Sequence, residues 1–414
     1  MPRRSVVVLG GGCAGLETAF LLRRRLRDAI DLTIVSDRDA FSFRPGTIYV
    51  PFGAEAARFE VPLHEPGDRR NIGLIRSRVR GVDTRARRFE LERSRLPYDY
   101  LVIATGAAPR AQEVPGLAAH AHLLWGPGDM VALRAVVERV VRAGRDGLNT
   151  QVLFLVPPAA AFTAPLYEFA LMLETWLRRA RARGSVRLTL ATAEGAYVQA
   201  LGPKLQAVMA DEFELRGIEG RTLHRAQEVT ESRVRFYNGQ TIAYDELIAL
   251  PPAAAAVRYD GLPMDARGFL HVAPDNRAVV GLDGVYAPGD AGDFPVKQAY
   301  LAFLQAHAVA EAIAGTISGE GSREGYDPVT LYLMDDLERG TFARVPLDFS
   351  GRTADAVGLR AADQVSVARL WRLGKKRLAD SVVARFRHGE PFHAGGGWSA
   401  KRAALQTLGS WLSV

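Results

Sequence analysis

Two successions of apolar strand, turn and helix, followed by a basic stretch with helical spacing, predict an α/β chain. It has two doubly wound, Rossmann-like units and then a basic helical C-terminal region. The first succession opens at Ser5–Leu9, the second starts with Gln151–Val156, and the basic stretch runs from Val367 to Arg387. With 414 residues the chain can bury more than one hydrophobic core. Its 48% apolar and 24% charged residues make an ordinary globular mixture.

The strand Ser5–Leu9 meets Gly10-Gly11-Gly12-Cys13-Ala14-Gly15, after which Leu16–Leu26 reads as helix and Leu32–Val35 as the next strand. That order is the βαβ unit in which a GxGxxG pattern has a physical meaning. Gly10 permits the tight turn, Gly12 lets backbone approach a pyrophosphate, and Gly15 lets the helix lie close to the sheet. The pyrophosphate then sits at a positive helix end. Cys13 and Ala14 are small residues within the same turn. The acid expected after the second strand, where it holds a ribose, is displaced: Ser36 comes first and Asp37 second, and either can reach a ribose hydroxyl.

Two further strand ends point the same way. Leu101–Ala104 leads into Thr105-Gly106, and Gly284–Ala287 leads into Pro288-Gly289-Asp290, where an Asp suits ribityl or ribose hydroxyls. Lys297 and Gln298 then open a long apolar helix, Ala299–Ala314, whose first turn faces the same region. Three such ends in this order predict non-covalent FAD in a split unit, residues 1–115 and 253–325. The second unit, 116–252, is inserted, and 326–414 forms the C-terminal region. In the second unit the strand Gln151–Val156 runs into Pro157-Pro158-Ala159, which offers neither the N–H groups nor the glycines of a phosphate turn. Met172–Ala182 and Gln206–Arg216 read as helices there and Val186–Leu190 as a strand.

Composition removes several function classes. The single cysteine, Cys13, excludes an internal disulfide, a Cys-rich metal site and a thiol pair within the chain. The eight histidines show no ligand spacing, so no protein-built metal site is expected. The longest apolar runs, Val152–Phe162 and Leu247–Val257, are short and each holds Pro-Pro, so no membrane-crossing span is expected. The N-terminus lacks a secretion signal, which predicts a cytoplasmic protein. The net charge of +7 lies entirely beyond Gly351, where eleven Arg/Lys face four Asp/Glu. There Val367, Leu370, Trp371, Leu378, Val382, Val383 and Phe386 fall at helical spacing among basic residues, as one amphipathic helix or two broken near Gly374. Such a face suits an anionic membrane surface, or its stripe packs on the protein body or a second copy in a homodimer. Nucleic acid is not an expected partner.

Several stretches resemble the sulfide:quinone oxidoreductase group of FAD flavoproteins, in the pyridine nucleotide-disulfide oxidoreductase superfamily. They are Phe41-Ser42-Phe43-Arg44-Pro45, Val50-Pro51-Phe52-Gly53, Pro165-Leu166-Tyr167-Glu168-Phe169, Lys297 with Tyr300, and Trp371 through Phe392. Flavocytochrome c sulfide dehydrogenase and type II NADH dehydrogenases are relatives of that group. The resemblance implies a glutathione-reductase-like fold, with Arg44 and Pro45 beside the cofactor and Lys297 at the flavin ring edge. It also implies Glu168 as a proton carrier, unless it is an ordinary first-turn acid of its helix, and Tyr300 at the acceptor pocket. A C-terminal region that docks on membranes and helps to form a quinone pocket also follows, giving a cytoplasmic protein peripheral on the inner face of the cytoplasmic membrane. The group's three redox cysteines have counterparts near Leu124–Pro127, Ala159–Phe162 and Tyr332–Leu333, and none is Cys. The expected function is therefore an FAD-dependent oxidoreductase with a small-molecule donor and a quinone as candidate acceptor. The alternatives are a true sulfide:quinone oxidoreductase, an NAD(P)H:quinone or other NAD(P)H:acceptor reductase, and a non-catalytic flavoprotein scaffold.

Overall fold

The computed structural model describes residues 3–320, 328–348, 358–359 and 363–393, so residues 394–414 of the basic C-terminal region lie outside the described part. The chain enters on β1 (Arg4–Leu9), turns over three glycines into α1 (Cys13–Leu26) and comes back as β2 (Ile30–Ser36). β3 (Gly73–Arg76), β4 (Tyr100–Ile103) and β5 (Ala107–Pro109) follow. A second succession runs β6 (His122–Leu123), α2 (Pro127–Arg145), β7 (Thr150–Val156) and α3 (Ala164–Arg179). It goes on through β8 (Val186–Thr192), α4 (Gly202–Arg216), β9 (Ile218–Arg221) and β10 (Glu246–Ala249). β11 (Ala253–Ala255) and β12 (Val285–Tyr286) lead back to α5 (Ala299–Ser318). β13 (Val329–Asp335), β14 (Gly340–Asp348), β15 (Gln364–Ala368) and α6 (Arg369–Arg387) come last.

Two parallel sheets organise these elements. The first has the order β12-β4-β1-β2-β3, with Val8 beside Ile34 and Val102. The second has the order β6-β10-β7-β8-β9, with Phe154 beside Leu190 and Ile248. Val6–Leu9 and Val152–Val156 are buried throughout, as strands covered on both faces must be. In the first sheet β1 lies between β2 and β4, and in the second β7 lies between β8 and β10, so a crevice opens at the carboxyl end of each. The antiparallel pair β5–β11, with Ala107 beside Ala255, lies where the chain passes from the first sheet to the second and returns.

The C-terminal region holds more than helix. β13, β14 and β15 form an antiparallel sheet, with Leu333 beside Phe342 and Phe342 beside Ser366, so Val367 belongs to a strand and not to the helical stripe. α6 is a single helix that continues through Gly374, the first of the two arrangements expected. A glycine there costs about 1 kcal/mol of helix propensity, and burial of the flanking stripe outweighs that. Trp371, Val382, Val383 and Phe386 are buried, and Phe386 meets Phe20 at 5.3 Å, Phe41 at 5.0 Å and Phe303 at 5.9 Å between ring centroids. Each such side chain contributes about 1.5–3 kcal/mol on burial, so most of the stripe packs on the body.

α3 starts at Ala164, where Pro165 supplies a favourable first-turn residue. α5 corrects the expectation about apolar spans: it is long and apolar enough, by length and composition, to cross a membrane. Counting uninterrupted apolar runs missed it because Gln305, His307 and Glu311 punctuate it. Two thirds of its most apolar stretch is buried, and it packs along α1.

One buried charge network ties the C-terminal sheet to the second unit. The Arg216 guanidinium at the end of α4 reaches Glu174 at 2.9 Å on α3, Glu212 at 2.9 Å on α4 and Asp336 at 2.5 Å after β13. Removing one partner of a buried ion pair costs about 3–5 kcal/mol, because the other charge stays buried and unpaired. Arg216→Leu is therefore expected to lower unfolding stability by about that amount, read by chemical denaturation. A loss within the range of a surface substitution would contradict this role.

Candidate active site

The site begins at the glycine turn. Gly10 has φ +117°, and a Cβ there would lie 2.2 Å from the Ala104 carbonyl oxygen. A Cβ on Gly15 would lie 1.9 Å from the Gly10 oxygen, so this residue sets how closely α1 approaches β1. Gly12 is different: nothing among the described residues lies within 4 Å of its Cβ position, and the turn is open on that side. No side chain among the described residues caps the first turn of α1. Free N–H groups at a helix start, approached by open backbone, form an anion cradle.

From this cradle a cavity of about 860 Å³ runs across the molecule. Gly10, Gly12, Cys13 and Ala14 line it at the turn, and Ser36 and Asp37 line it at the end of β2. The Ser36 hydroxyl is tied into its own turn, accepting from Arg38 N at 3.1 Å and donating to Arg38 O at 3.0 Å. Asp37 is exposed and 3.7 Å from the Arg78 guanidinium. Farther along, Arg44, Pro45, Thr105, Gly106 and Asp290 form the walls. Gly15 and Gly289 lie behind the wall; Gly289 has φ +71°, its N–H donates to Gln305 at 2.7 Å, and a Cβ would lie 2.8 Å from Ala14 Cβ.

Asp290 is half-buried in the wall, and desolvation there pushes its carboxyl up, opposed by the positive charges of Lys297 and Arg44. Lys297 also faces the cavity, donating to the Gly292 carbonyl with its ammonium 3.8 Å from the Phe269 ring centroid. Burial pulls Lys297 down to about 8, against the pull of Asp290. Tyr300 lines the cavity in the first turn of α5.

At the far end Glu168 is fully buried in the fifth position of α3 and does not cap the helix. Its carboxylate accepts from Tyr332 Oη at 2.9 Å, from Asp335 N at 2.8 Å and from Lys375 Nζ. Burial raises the Glu168 carboxyl, and the Lys375 charge opposes that shift. Tyr332 packs edge-on against Phe162 at 5.2 Å. Sequence reading placed Lys375 among the basic residues of an amphipathic helix and so missed it. The signal was present: Lys375 stands four residues from both Trp371 and Ala379, in register with the buried stripe.

The three stretches that the resemblance sets opposite redox cysteines converge on the same cavity. Leu124 and Trp125, Ala160 through Phe162, and Tyr332 with Leu333 all line it. Cys13 is at the glycine turn, where burial, and after it the Asp290 charge, pushes its thiol up to about 12. It remains a thiol, and the thiolate is the reactive form.

The second sheet offers a contrasting crevice, about 280 Å³, at the ends of β7 and β8. Pro157 and Pro158 form its floor. Glu194, placed where a ribose-binding acid would stand, accepts from Thr163 at 3.0 Å, Tyr167 at 2.7 Å, Thr192 at 3.0 Å and Gln199 N at 2.9 Å.

Comparison with known proteins bears on the family and the fold. The pyridine nucleotide-disulphide oxidoreductase family matches residues 4–144, the stretch that carries the glycine turn and the strand end at Thr105. Over those residues the chain is similar to the pyridine nucleotide-disulphide oxidoreductases, and it has only one cysteine. It is 31% identical over 201 residues to the sulfide-quinone reductase of Aquifex aeolicus, covering 46% of this chain and 43% of that one. It is 26% identical over 256 residues to the mitochondrial external alternative NAD(P)H-ubiquinone oxidoreductase B2 of Arabidopsis thaliana, covering 56% and 43%. The aligned stretches thus span less than half the length of these two relatives. In fold, it matches the crystal structure of the sulfide:quinone oxidoreductase from Aquifex aeolicus with a TM-score of 0.86, at 20% identity over 98% of this chain and 95% of that one.

Proposed function

We propose that this protein is an FAD-dependent oxidoreductase that passes electrons from a small two-electron donor to an apolar, quinone-like acceptor without a thiol relay. The observation that carries this reading is the continuous cavity joining the open glycine turn to the Glu168–Tyr332–Lys375 cluster. The residues present fit the cofactor: an uncapped helix start beside open backbone at Gly12, a half-buried Asp290 after a strand end, and Lys297 farther along the wall. Gly10, Gly12, Cys13 and Ala14 would hold its pyrophosphate, and Ser36 or Asp37 its adenosine ribose. Arg44, Pro45, Thr105, Gly106 and Asp290 would hold its middle, and Lys297 its ring. When bound, FAD supplies two-electron chemistry and can release electrons together or singly.

The chain's own residues supply charge and protons. Lys297 would balance negative charge that reduction places beside it. Because Lys297 titrates near 8, reduction above that pH draws an extra proton onto Nζ. The flavin midpoint potential is then expected to fall more steeply with pH there, by about 30 mV per unit for one added proton per two electrons. Lys297→Met should lower the potential and remove the extra slope; an unchanged potential in a spectroelectrochemical titration would sink the role. Glu168, Tyr332 and Lys375 form the proton-bearing end, and Tyr300 lines the same cavity. The exposed Leu370 and Leu373 of α6, among Arg369, Arg372 and Arg377, suit contact with an anionic membrane surface, from which an apolar acceptor would come.

An NAD(P)H donor is the second reading, supported by the likeness to NAD(P)H-ubiquinone oxidoreductases. Against it stand Pro157-Pro158 in place of a phosphate turn and the internally satisfied Glu194. Anaerobic mixing of the purified protein with NADH, NADPH and sulfide, following flavin bleaching, separates the readings. The expected result is an oxidised flavin after all three, and fast reoxidation of photoreduced protein by a soluble short-chain quinone. Rapid bleaching by NADH or NADPH would replace the main reading with the second. Rapid bleaching by sulfide would overturn the exclusion of sulfide chemistry, and a colourless protein would leave only a scaffold.

A further inference from the structure

Resting on the reading of Lys297 as a residue beside the bound ring, we propose that Asp293 and His271 form a proton exit that connects Lys297 to solvent. The segment around Leu270 lies alongside residues 291–293: Leu270 N donates to Ala291 O at 2.9 Å, and Asp293 N donates to Leu270 O at 2.9 Å. Bridges at Leu270 and Val272 mark this segment as extended, so Phe269 and His271 point to the same side. Phe269 carries the Lys297 ammonium over its ring at 3.8 Å. His271 carries the Asp293 carboxylate at 2.9 Å on Nδ1. Two steps along an extended segment are about 7 Å, a gap that bridging water spans as two molecules in file. The Lys297 ammonium also donates to the Gly292 carbonyl, in the peptide that leads into Asp293.

Exposure rises along this file. Lys297 faces the cavity, the Asp293 side chain is 20% exposed and the His271 side chain 44%. The charged groups acting on Lys297 are Asp290 on the cavity side, Asp265 and Arg277 from the neighbouring loops, and Asp293 itself. Asp290 faces the cavity and not bulk solvent, and Asp265 accepts from the backbone N–H groups of Arg267 and Phe269, whereas Asp293 holds an exposed imidazole. The step moves one proton and no electrons. Lys297 Nζ releases a proton through the bridging water, Asp293 holds the charge of the imidazolium formed at His271, and His271 Nε2 returns the proton to bulk water. Proton uptake follows the same groups in reverse.

The test uses the full chain with its flavin bound, photoreduced and mixed with a soluble short-chain benzoquinone. His271→Ala is expected to slow reoxidation by at least about tenfold, the low end for a lost acid–base group, with rate restored by added imidazole. Asp293→Asn should slow it likewise, without imidazole rescue. Independent of turnover, the His271 ring proton resonance is expected to carry an inflection near pH 8, where Lys297 titrates, that vanishes in Lys297→Met. A yellow His271→Ala protein with unchanged rate, or with a loss that imidazole does not restore, overturns the exit while leaving the flavin reading intact. A His271 resonance blind to Lys297 overturns it as well. A colourless wild-type protein removes both.

Discussion

Gly12→Ala is expected to fold as the wild-type chain does and to lose its flavin. The backbone at Gly12 has φ −92°, which alanine adopts without strain, and its Cβ would meet nothing within 4 Å among the described residues. The protein therefore has no reason of its own to need glycine there. The space that the methyl group would take is the space a pyrophosphate must enter at the start of α1. Gly10→Ala makes the contrast. Its φ of +117° is closed to alanine, and the new Cβ would lie 2.2 Å from Ala104 O, so the strand-to-helix turn itself must deform. A cost of about 3 kcal/mol or more is expected from strain and clash together. Flavin absorbance and thermal unfolding separate the two variants. Full flavin retention by Gly12→Ala would mean that the cradle is not where the cofactor binds.

Lys375→Met is expected to be the most damaging single change at the acceptor end. It leaves Glu168 fully buried with two neutral donors, Tyr332 Oη and Asp335 N–H, and no counter-charge. Breaking a buried pair from one side costs about 3–5 kcal/mol. The sign of its pH dependence follows from the Glu168 carboxyl, which burial already holds above its ordinary value and which Lys375 pulls down more than Asp335 N–H or Tyr332 Oη does. Without Lys375 the raised carboxyl favours the folded state in acid. That advantage disappears as pH rises through the elevated value. The deficit of the variant should therefore be smallest in acid and largest at alkaline pH, and Glu168→Gln combined with Lys375→Met should recover most of it. Quinone reduction is expected to fall by about 100-fold or more if this cluster delivers the proton. Equal deficits at both ends of the pH range, in denaturant titrations, would show that Lys375 acts by packing alone.

The parts of this site that the sequence made legible are local. A glycine turn between an apolar strand and a helix, and an Asp at a strand end before a long helix, are patterns within a dozen residues. Their physical requirement, open backbone or a left-handed turn, is visible in residue type. The Glu168–Lys375 pair spans 207 residues and joins a helix of the second unit to α6. Its only local trace is a lysine at core spacing, which helical amphipathicity reads as a polar face. β13 to β15 escaped for a related reason: β13 mixes fully and partly buried residues without strict alternation, so it lacks the period-two signature of a half-exposed strand. The His271–Asp293 pair was equally hidden, since it depends on two loops lying side by side. Thiol loss was fully legible, because a missing residue type needs no geometry.

The central claim is that an isoalloxazine occupies the cavity between the two sheets with no thiol in reach. Releasing the cofactor from denatured full-length protein and quantifying it, for the wild type and for Cys13→Ser, tests this most directly. One FAD per chain in both, with identical visible spectra before denaturation, is the predicted result. Absence of FAD from the wild type, or a spectrum that changes when Cys13 is replaced by serine in the folded protein, would contradict it.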